Sequence, residues 1–388
     1  MTLVVETPEQ LRTHFILNPE IAFLNHGSFG ACPKSVFDIY QAWQRQIEWE
    51  PVRFIGNRQD GLLTAARERL ASWLNADADD ISFITNATSG INVVARSMDL
   101  KPGDEILTTN LEYGACDNTW QHLCNRFGAK YIHQEIPVPF TTQEAVVDAL
   151  FAGVTPRTKA IYLSHLTSGT AVILPVKAIC ARARALGILS VIDGAHAPGQ
   201  IPVDLTDIGA DFYSGNLHKW TCAPKGSAFI HARKDHHAWT ESLTISWGWS
   251  RGGDSFVSRN QQQGTQDVSR YLSVPAAIDF LDEHNWDSVR ESTHARLRAL
   301  RDRLHTYFET EPLYPEDGGW YAQLGLVTLP VTDVTNFNQR MYDEFAVEIP
   351  FTSHAGQYFA RVSMQGYVSD NDIDRFETAI KKLVIESA

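Results

Sequence analysis

Apolar residues follow two alternating patterns along the chain. Short runs of consecutive apolar residues are typical of buried strands, whereas apolar residues at every third or fourth position are typical of amphipathic helices. Helical patterns at 62–73, 91–98 and 176–186 alternate with strand-like runs at 81–84, 106–108, 160–163, 189–192, 212–213 and 228–230. Such alternation predicts an α/β fold, with a mainly parallel sheet that carries helices on both faces.

The pattern changes near residue 260. A polar loop at 261–267 precedes long amphipathic helices and a strand at 324–329, and the last helix has an apolar face with Ser369 as its expected N-cap. This change predicts a second, smaller domain. We therefore expect an N-terminal segment (1–20) that packs on the small domain, a large α/β domain (21–260) and a small C-terminal α+β domain (261–388).

Composition narrows the class of protein. The 388 residues are 44% hydrophobic and 20% charged, as in soluble globular proteins, and no apolar run approaches the length of a membrane span. A net charge of −13 argues against a general nucleic-acid binder, which needs a basic surface. The acidic start of the chain lacks a signal-peptide pattern. We therefore expect a cytoplasmic protein.

The cysteines predict neither a disulfide framework nor a metal site. The five are Cys32, Cys116, Cys124, Cys180 and Cys222, which are scattered and form no C-x-x-C pair. This pattern is typical of reduced thiols.

Two charged residues stand where predicted strands end. Asp193 closes the run 189–192, and Lys219 follows the run 212–213 across a turn of small residues. Ligands of parallel sheets bind outside the carboxyl ends of the strands. A lysine beside another cation or in a dry pocket loses its proton more easily and can form an imine. Pyridoxal 5′-phosphate (PLP) chemistry needs such a lysine, and an aspartate that keeps the ring nitrogen protonated.

A phosphate-binding turn is the third part of this pattern. In Asn86–Gly90, small residues let backbone N–H groups approach a ligand, the hydroxyls of Thr88 and Ser89 add donors, and the following helix favours an anion at its N-terminus. Singly, each feature has a simpler explanation: a helix cap, a surface lysine and a turn-capping aspartate. Their order along one chain favours the cofactor interpretation.

Several stretches of the sequence resemble those of a known enzyme family. The stretches that carry the resemblance are LNHGSFG (24–30), FITNATSGIN (83–92), LEYGA (111–115), VIDGAHAPG (191–199), GNLHKW (215–220), SWGW (246–249), GTQDVSRYLSVPAAIDF (264–280) and ARVS (360–363). They are similar to those of fold-type I PLP-dependent enzymes of the class V aminotransferase family, and within it to the isopenicillin N epimerases. The resemblance spans nearly the whole chain.

The resemblance implies a role for each matching residue. Lys219 would form the Schiff base, Asp193 would pair with the pyridine nitrogen, and Tyr113 would stack on the ring and complete the catalytic set. His196 would contact the phenolic oxygen, and Thr265 would reach the phosphate of a neighbouring subunit, which implies a homodimer with shared active sites. The full implied cofactor set is Ala87, Thr88, Ser89, Tyr113, Asp193, His196, Ser214, His218, Lys219 and Thr265.

The substrate side of the site is also implied. Arg361 resembles the arginine that clamps a substrate α-carboxylate, a task suited to a two-pronged donor. Asn25, His26 and Ser168 are the other expected substrate contacts, and no metal is implied. The family loop Gly-Thr-Arg-Asp reads Gly-Thr-Gln-Asp here, so Gln266 removes a positive charge near the expected subunit boundary.

These residues predict an enzyme that acts at the α-carbon of a small amino-acid-type substrate, in the manner of an epimerase. Lys219 would remove the α-proton, and Tyr113 or His26 would serve the opposite face. The alternatives are a C–S β-lyase, an aminotransferase and a non-catalytic dimeric scaffold. No cysteine lies between Cys222 and the C-terminus, which argues against a desulfurase that forms a persulfide before Arg361.

Overall fold

The computed structural model describes residues 6–250 and 254–387, so the first five residues of the predicted N-terminal segment lie outside the described residues. The strands are β1 (Ala22–Phe23), β2 (Ile81–Ile84), β3 (Glu105–Thr109), β4 (Lys130–Gln134), β5 (Thr158–Ser164), β6 (Leu189–Asp193), β7 (Phe212–Asn216), β8 (Ala228–Ala232), β9 (Leu324–Leu329), β10 (Val347–Glu348), β11 (Phe351–His354) and β12 (Gln357–Ser363).

The helices alternate with these strands over the first two thirds of the chain. They are α1 (Pro8–Thr13), α2 (His26–Phe29), α3 (Lys34–Trp49), α4 (Pro51–Arg53), α5 (Gln59–Trp73), α6 (Ala87–Ser97), α7 (Gly114–Phe127), α8 (Gln143–Phe151), α9 (Val176–Ala185), α10 (Leu205–Ile208), α11 (Phe256–Gln261), α12 (Ser269–Leu272), α13 (Val274–Glu283), α14 (Trp286–Phe308), α15 (Phe337–Phe345) and α16 (Asp370–Ser387). A π-helical turn at Phe54–Arg58 joins α4 to α5, and short 3₁₀ turns lie at Ala78–Asp80, Lys234–Trp239 and Trp247–Trp249.

A sheet of seven described strands, in the order β2-β8-β7-β6-β5-β3-β4, forms the centre of the molecule. Neighbours from β7 through to β4 run parallel, whereas β8 pairs antiparallel with both β7 and β2. The reversal follows from chain length, because only residues 217–227 connect β7 to β8 and a parallel connection needs a long crossover. The prediction of a mainly parallel α/β sheet is confirmed.

Both faces of this sheet are buried, as a parallel sheet under helices requires. Neighbouring residues on β6 show it: Ile192 packs into one apolar cluster and Val191 into the other, and each side chain is fully buried. The edge strand β4 was not predicted. Its residues are half-buried or exposed and include Lys130 and Gln134, so it lacks the continuous apolar run of a central strand.

The C-terminal third contains helices around a sheet that the described residues build from β11, β12 and β9, all antiparallel. The last helix begins where the sequence predicts, because the Ser369 hydroxyl accepts a hydrogen bond from the Asp372 amide at 3.1 Å. Near the start of the chain, β1 pairs in parallel with β10. Within the described ranges, no helix combines the length and apolar character needed to cross a membrane.

Candidate active site

A cavity of about 490 Å³ lies at the carboxyl ends of β5, β6 and β7. It collects most of the predicted site residues: Ala87, Thr88, Ser89, Tyr113, Ser168, Asp193, His196, His218 and Lys219. Ser28, Phe29, Ser164 and Asn216 also line it and were not predicted. The location is the one expected for a ligand of a parallel sheet.

Lys219 follows β7 in a tightly packed loop. Gly30, at the end of α2, has a φ of +71° and lies so close that a Cβ there would stand 2.1 Å from the His218 carbonyl oxygen. Only glycine fits such a contact and conformation. The Lys219 carbonyl oxygen accepts a hydrogen bond from His26 Nε2 at 3.0 Å. The backbone of the lysine is therefore held from two sides.

The amine of Lys219 is nearly buried beside an imidazole. Its Nζ lies 3.0 Å from His196 Nε2. Burial lowers the pKa of Lys219 to about 8, and the charge of Arg361 adds to this while Asp193 opposes it. Burial and the Lys219 charge also hold the pKa of His196 well below its usual range. His196 is therefore a neutral acceptor for the lysine, and its buried Nδ1 has no partner among the described residues.

Asp193 ends β6 at the floor of the cavity. The side chain is 3% exposed, and its Oδ1 accepts a hydrogen bond from the Ala195 amide at 2.9 Å. Its Oδ2 lies 3.5 Å from both the Cys116 thiol and the Tyr162 hydroxyl. Burial raises the pKa of Asp193 despite these donors. Such a carboxylate is suited to a cationic N–H partner.

The N-terminus of α6 forms the side of the cavity that is suited to an anion. Asn86 caps the helix by accepting from the Ser89 amide at 2.8 Å, and the Ala87 amide donates to Asn216 Oδ1 at 2.8 Å. Gly90 lets the helix lie against β7, because a Cβ there would stand 2.2 Å from Ser214 Oγ. The hydroxyl-bearing residues Thr88 and Ser89 line the cavity at the positive end of the helix dipole.

Two residues of the implied cofactor set, Ser214 and Thr265, lie outside this cavity. Ser214 is 1% exposed and outside the cavity lining, and its hydroxyl donates to the carbonyl oxygens of Ala87 and Phe229 at 3.2 and 3.1 Å. In this chain it joins α6 to the sheet. Thr265 lines a separate pocket of about 210 Å³ with Ser89 and Gln266. Gln266 accepts a hydrogen bond from Arg270 at 2.6 Å.

His218 lines the cavity with one nitrogen already engaged. Its Nδ1 donates to the Ser227 carbonyl oxygen at 2.9 Å, and burial lowers its pKa to about 4. A neutral His218 offers Nε2 only as an acceptor, so a phosphate contact there requires that the anion first raise its pKa.

Arg361 approaches the cavity from β12. Its guanidinium donates to the carbonyl oxygen and hydroxyl of Ser168 at 2.6 and 3.2 Å, and to the Ser28 hydroxyl at 2.9 Å. Its Nε is buried without a partner among the described residues, and burial lowers the pKa of Arg361 to about 10. Asn25 is not among the residues that line the cavity, and its Oδ1 accepts a hydrogen bond from Ser28 Oγ at 2.5 Å.

His26 and Tyr113, the two predicted second acids, have different surroundings. His26 is 0% exposed and outside the cavity lining, and its ring nitrogens contact Tyr367 Oη at 2.9 Å and the Lys219 carbonyl oxygen. Burial lowers the pKa of His26 to about 3, so it is a neutral packing group. Tyr113 is 46% exposed and lines the cavity. Of these two residues, only Tyr113 reaches the ligand space.

Glu112, which was not among the predicted site residues, is a half-buried residue whose carboxyl group lies beside this cavity. It accepts hydrogen bonds from Thr109 Oγ1 at 2.6 Å and from the amide and hydroxyl of Ser164 at 2.8 and 2.6 Å. Burial raises the pKa of Glu112 to about 8, and the nearby Asp193 adds to this. The carboxyl group thus ties the end of β3 to the end of β5. Its only sequence signal is its place before Tyr113.

The fold and cavity define an α/β enzyme that binds an anionic cofactor at the carboxyl edge of its sheet. Residues 33–376 match the family model described as aminotransferase class-V. The chain is 32% identical to isopenicillin N epimerase from Amycolatopsis lactamdurans, over 96% of this chain and 97% of that protein. It is 29% identical to putative L-cysteine desulfhydrase 1 from Oryza sativa subsp. japonica, over 94% of this chain and 84% of that protein.

Among solved structures, a mutant of C-DES with glycine covalently linked to its PLP cofactor has a TM-score of 0.82 to this chain at 19% identity. The match covers 95% of this chain and 98% of that one, and at this identity it shows the fold alone. The protein belongs to the class V aminotransferase family, whose members are PLP-dependent enzymes. The resemblance and the fold class expected from the sequence are confirmed.

The residues present fit this cofactor. The cavity has an amine with a lowered pKa at Lys219, a buried carboxylate at Asp193 and a helix N-terminus at Ala87. The unpartnered Nδ1 of His196 and the half-exposed ring of Tyr113 leave polar and aromatic groups available to a ligand. These are the groups that an aldehyde, a ring nitrogen, a phosphate and an aromatic ring require.

Proposed function

We propose that the protein is an epimerase that acts at the α-carbon of an amino-acid substrate, in the manner of isopenicillin N epimerase. The observation that carries the proposal is a cavity lined by the amine of Lys219 and the hydroxyl-bearing ring of Tyr113, with no cysteine among its described lining residues. Similarity to the Amycolatopsis epimerase over nearly the full length of both chains supports it.

The roles of the residues follow from their surroundings. Bound PLP supplies an electron-poor ring that makes the proton at Cα acidic. Lys219 removes this proton, and its pKa of about 8 leaves a useful fraction of the amine neutral near pH 7. Asp193 keeps a proton on the ring nitrogen by charge pairing, and Arg361 binds the α-carboxylate with Ser28 and Ser168 beside it.

Inversion requires a proton donor on the face of Cα opposite Lys219, and we assign this role to Tyr113. His26, the other candidate from the sequence, is committed to Tyr367 and to the Lys219 backbone. The half-exposed position of Tyr113 at the cavity lets its hydroxyl recover a proton from solvent after each turnover.

The test is incubation with single enantiomers of amino acids, including cysteine conjugates, in deuterated water. An epimerase exchanges the α-proton, changes chirality and releases no ammonia. The Tyr113→Phe variant keeps the ring and removes the hydroxyl, so we expect α-proton exchange to persist while inversion is lost. The assigned role of Tyr113 would be contradicted if Tyr113→Phe lost α-proton exchange and inversion together. It would also be contradicted if the variant lost neither.

A C–S β-lyase is the second candidate, because plant relatives of this chain are described as L-cysteine desulfhydrases. It would use the same proton removal by Lys219 but expel a sulfur group from Cβ. Stoichiometric pyruvate and ammonia from a sulfur amino acid, with no change of chirality in any substrate, would replace the epimerase by this lyase. Formation of a keto acid that depends on a second keto substrate would indicate an aminotransferase.

The proposal includes a homodimer with shared sites. Thr265 lies outside the cavity that contains Lys219, and this position is compatible with a contact to the phosphate in the partner subunit's site. Its pocket also includes Ser89 at the start of α6, so a contact within its own subunit is the competing arrangement. Mixing of subunits that carry different substitutions distinguishes the two arrangements.

A further inference from the structure

Two histidines and a glutamate meet at the surface, among residues that take no part in the PLP cavity. They are Glu6, which precedes α1, His14, which follows α1, and His284, which follows α13. One ligand atom from each lies within 4.8 Å of the others. The three residues come from the two ends of α1 and from the end of a helix about 270 positions later.

The carboxylate of Glu6 faces both imidazoles. Its Oε1 lies 3.0 Å from His14 Nε2, and its Oε2 contacts His284 Nδ1. One carboxylate group therefore contacts both imidazoles.

The two imidazoles stand close enough to serve one ion. Their ring centroids are 4.5 Å apart at an angle of 55°, and the ring of Phe280 packs against His284 at 4.3 Å. An imidazole nitrogen is a common zinc ligand, so two rings this close can contribute ligands to one ion.

We propose that Glu6, His14 and His284 form a binding site for Zn²⁺ that fastens the N-terminal segment to the end of α13. Two imidazole nitrogens and one carboxylate oxygen are a donor set that suits zinc and disfavours Mg²⁺ and Ca²⁺. Zinc at about 2.0–2.2 Å from each ligand separates neighbouring ligand atoms by roughly 3.3 Å, so small side-chain movements suffice. The side chains are 18–35% exposed, which admits a water as the fourth ligand.

The sequence predicted no metal site, because the three proposed ligands are dispersed along the chain. Zinc motifs are recognised by short spacings, whereas the tertiary fold alone brings His284 to Glu6 and His14. Its expected effect is on stability, because an ion that binds only the folded chain adds its binding free energy to the free energy of unfolding.

The test uses the PLP-loaded full-length protein after treatment with a chelator. Equilibrium dialysis against Zn²⁺ or Mg²⁺, with metal measured by atomic emission, should show about one Zn²⁺ per chain and no comparable Mg²⁺. Zn²⁺ should also raise the thermal unfolding midpoint. His14→Gln and His284→Gln should each weaken Zn²⁺ binding by about 100-fold or more, since even outer partners of ligands contribute about 10–100-fold.

A matched control is His133→Gln, because His133 also faces a carboxylate, Asp117, at 3.3 Å but belongs to no three-ligand group among the described residues. This variant should bind Zn²⁺ like the wild type. Glu6→Gln keeps a hydrogen-bonding group and removes the charge, so it provides a further variant if a histidine change impairs folding. Equal Zn²⁺ binding and equal thermal shifts in the wild type, His14→Gln, His284→Gln and Glu6→Gln would overturn the proposal, as would a wild type that binds no zinc.

Discussion

The half-buried Glu112 makes the stability of the protein depend on pH in a specific way. The folded protein raises its pKa from an ordinary value of 4.5 to about 8, chiefly by burial. Below pH 4.5 the group is protonated in both the folded and the unfolded chain. Between these two pKa values the unfolded chain loses the proton and the folded chain keeps it. The contribution of Glu112 to stability is therefore lost as pH rises through this window.

The size of the effect follows from the two pKa values. Each pH unit in the window lowers the free energy of unfolding by about 1.4 kcal/mol, and the whole window amounts to about 5 kcal/mol. Glu112→Gln removes the titration and keeps an amide that can accept from the Ser164 amide and donate to the Thr109 hydroxyl. The free energy of unfolding of Glu112→Gln should therefore rise relative to that of the wild type by about 1.4 kcal/mol for each pH unit between 5 and 8.

The assay is urea unfolding of the cofactor-free wild type and variant at pH 6, 7 and 8, because bound PLP adds a pH dependence of its own. Glu112→Ala serves as the control for a lost contact. It leaves the Ser164 amide without this acceptor and should cost about 1–3 kcal/mol relative to Glu112→Gln at every pH. Parallel stability profiles for the wild type and Glu112→Gln from pH 6 to 8 would refute the reasoning.

Three further predictions concern the PLP site. PLP uptake by the cofactor-free protein should quicken with pH and level off above about 8, because the neutral amine of Lys219 reacts with the aldehyde; a rate that still rises at about pH 10 would contradict this. Asp193→Asn should retain PLP by absorbance yet lose most activity, since the ring nitrogen loses its ionic partner; near-normal turnover would refute it. Mixing Lys219→Ala with Thr265→Ala, each impaired alone, should restore activity if Thr265 serves the partner subunit; no recovery under verified subunit exchange would place Thr265 in its own subunit's site or away from both.

The sequence was most informative where local patterns determine structure. Apolar runs predicted the central strands, and Asp193 and Lys219 were recognised at strand ends because the carboxyl edge of a parallel sheet is a position that chain order alone defines. The edge strand β4 was not predicted, since its residues are half-buried or exposed and form no continuous apolar run. The direction of a side chain could not be predicted from local sequence. His26 stands in a matching stretch and Ser214 directly precedes one, yet the His26 side chain turns into the core and the Ser214 hydroxyl donates to backbone carbonyls.

Residues that act through distant partners could not be found from spacing. Burial and the charge of Asp193, about eighty positions along the chain, raise the pKa of Glu112. Arg361 reaches Ser28 from the opposite end of the chain. Their surroundings are set by which strands become neighbours in the sheet, and that order depends on packing of the whole domain.

The central claim is that Lys219 holds PLP in the cavity beside Asp193. The most direct measurement is borohydride reduction of the purified protein, followed by proteolysis and mass spectrometry of the peptides. We expect one peptide to carry the mass of reduced PLP, with the modification on Lys219, and we expect Lys219→Ala to carry none while its folded structure persists by circular dichroism. A PLP adduct on another lysine in the wild type, or an unchanged yield of adduct in Lys219→Ala, would contradict the account.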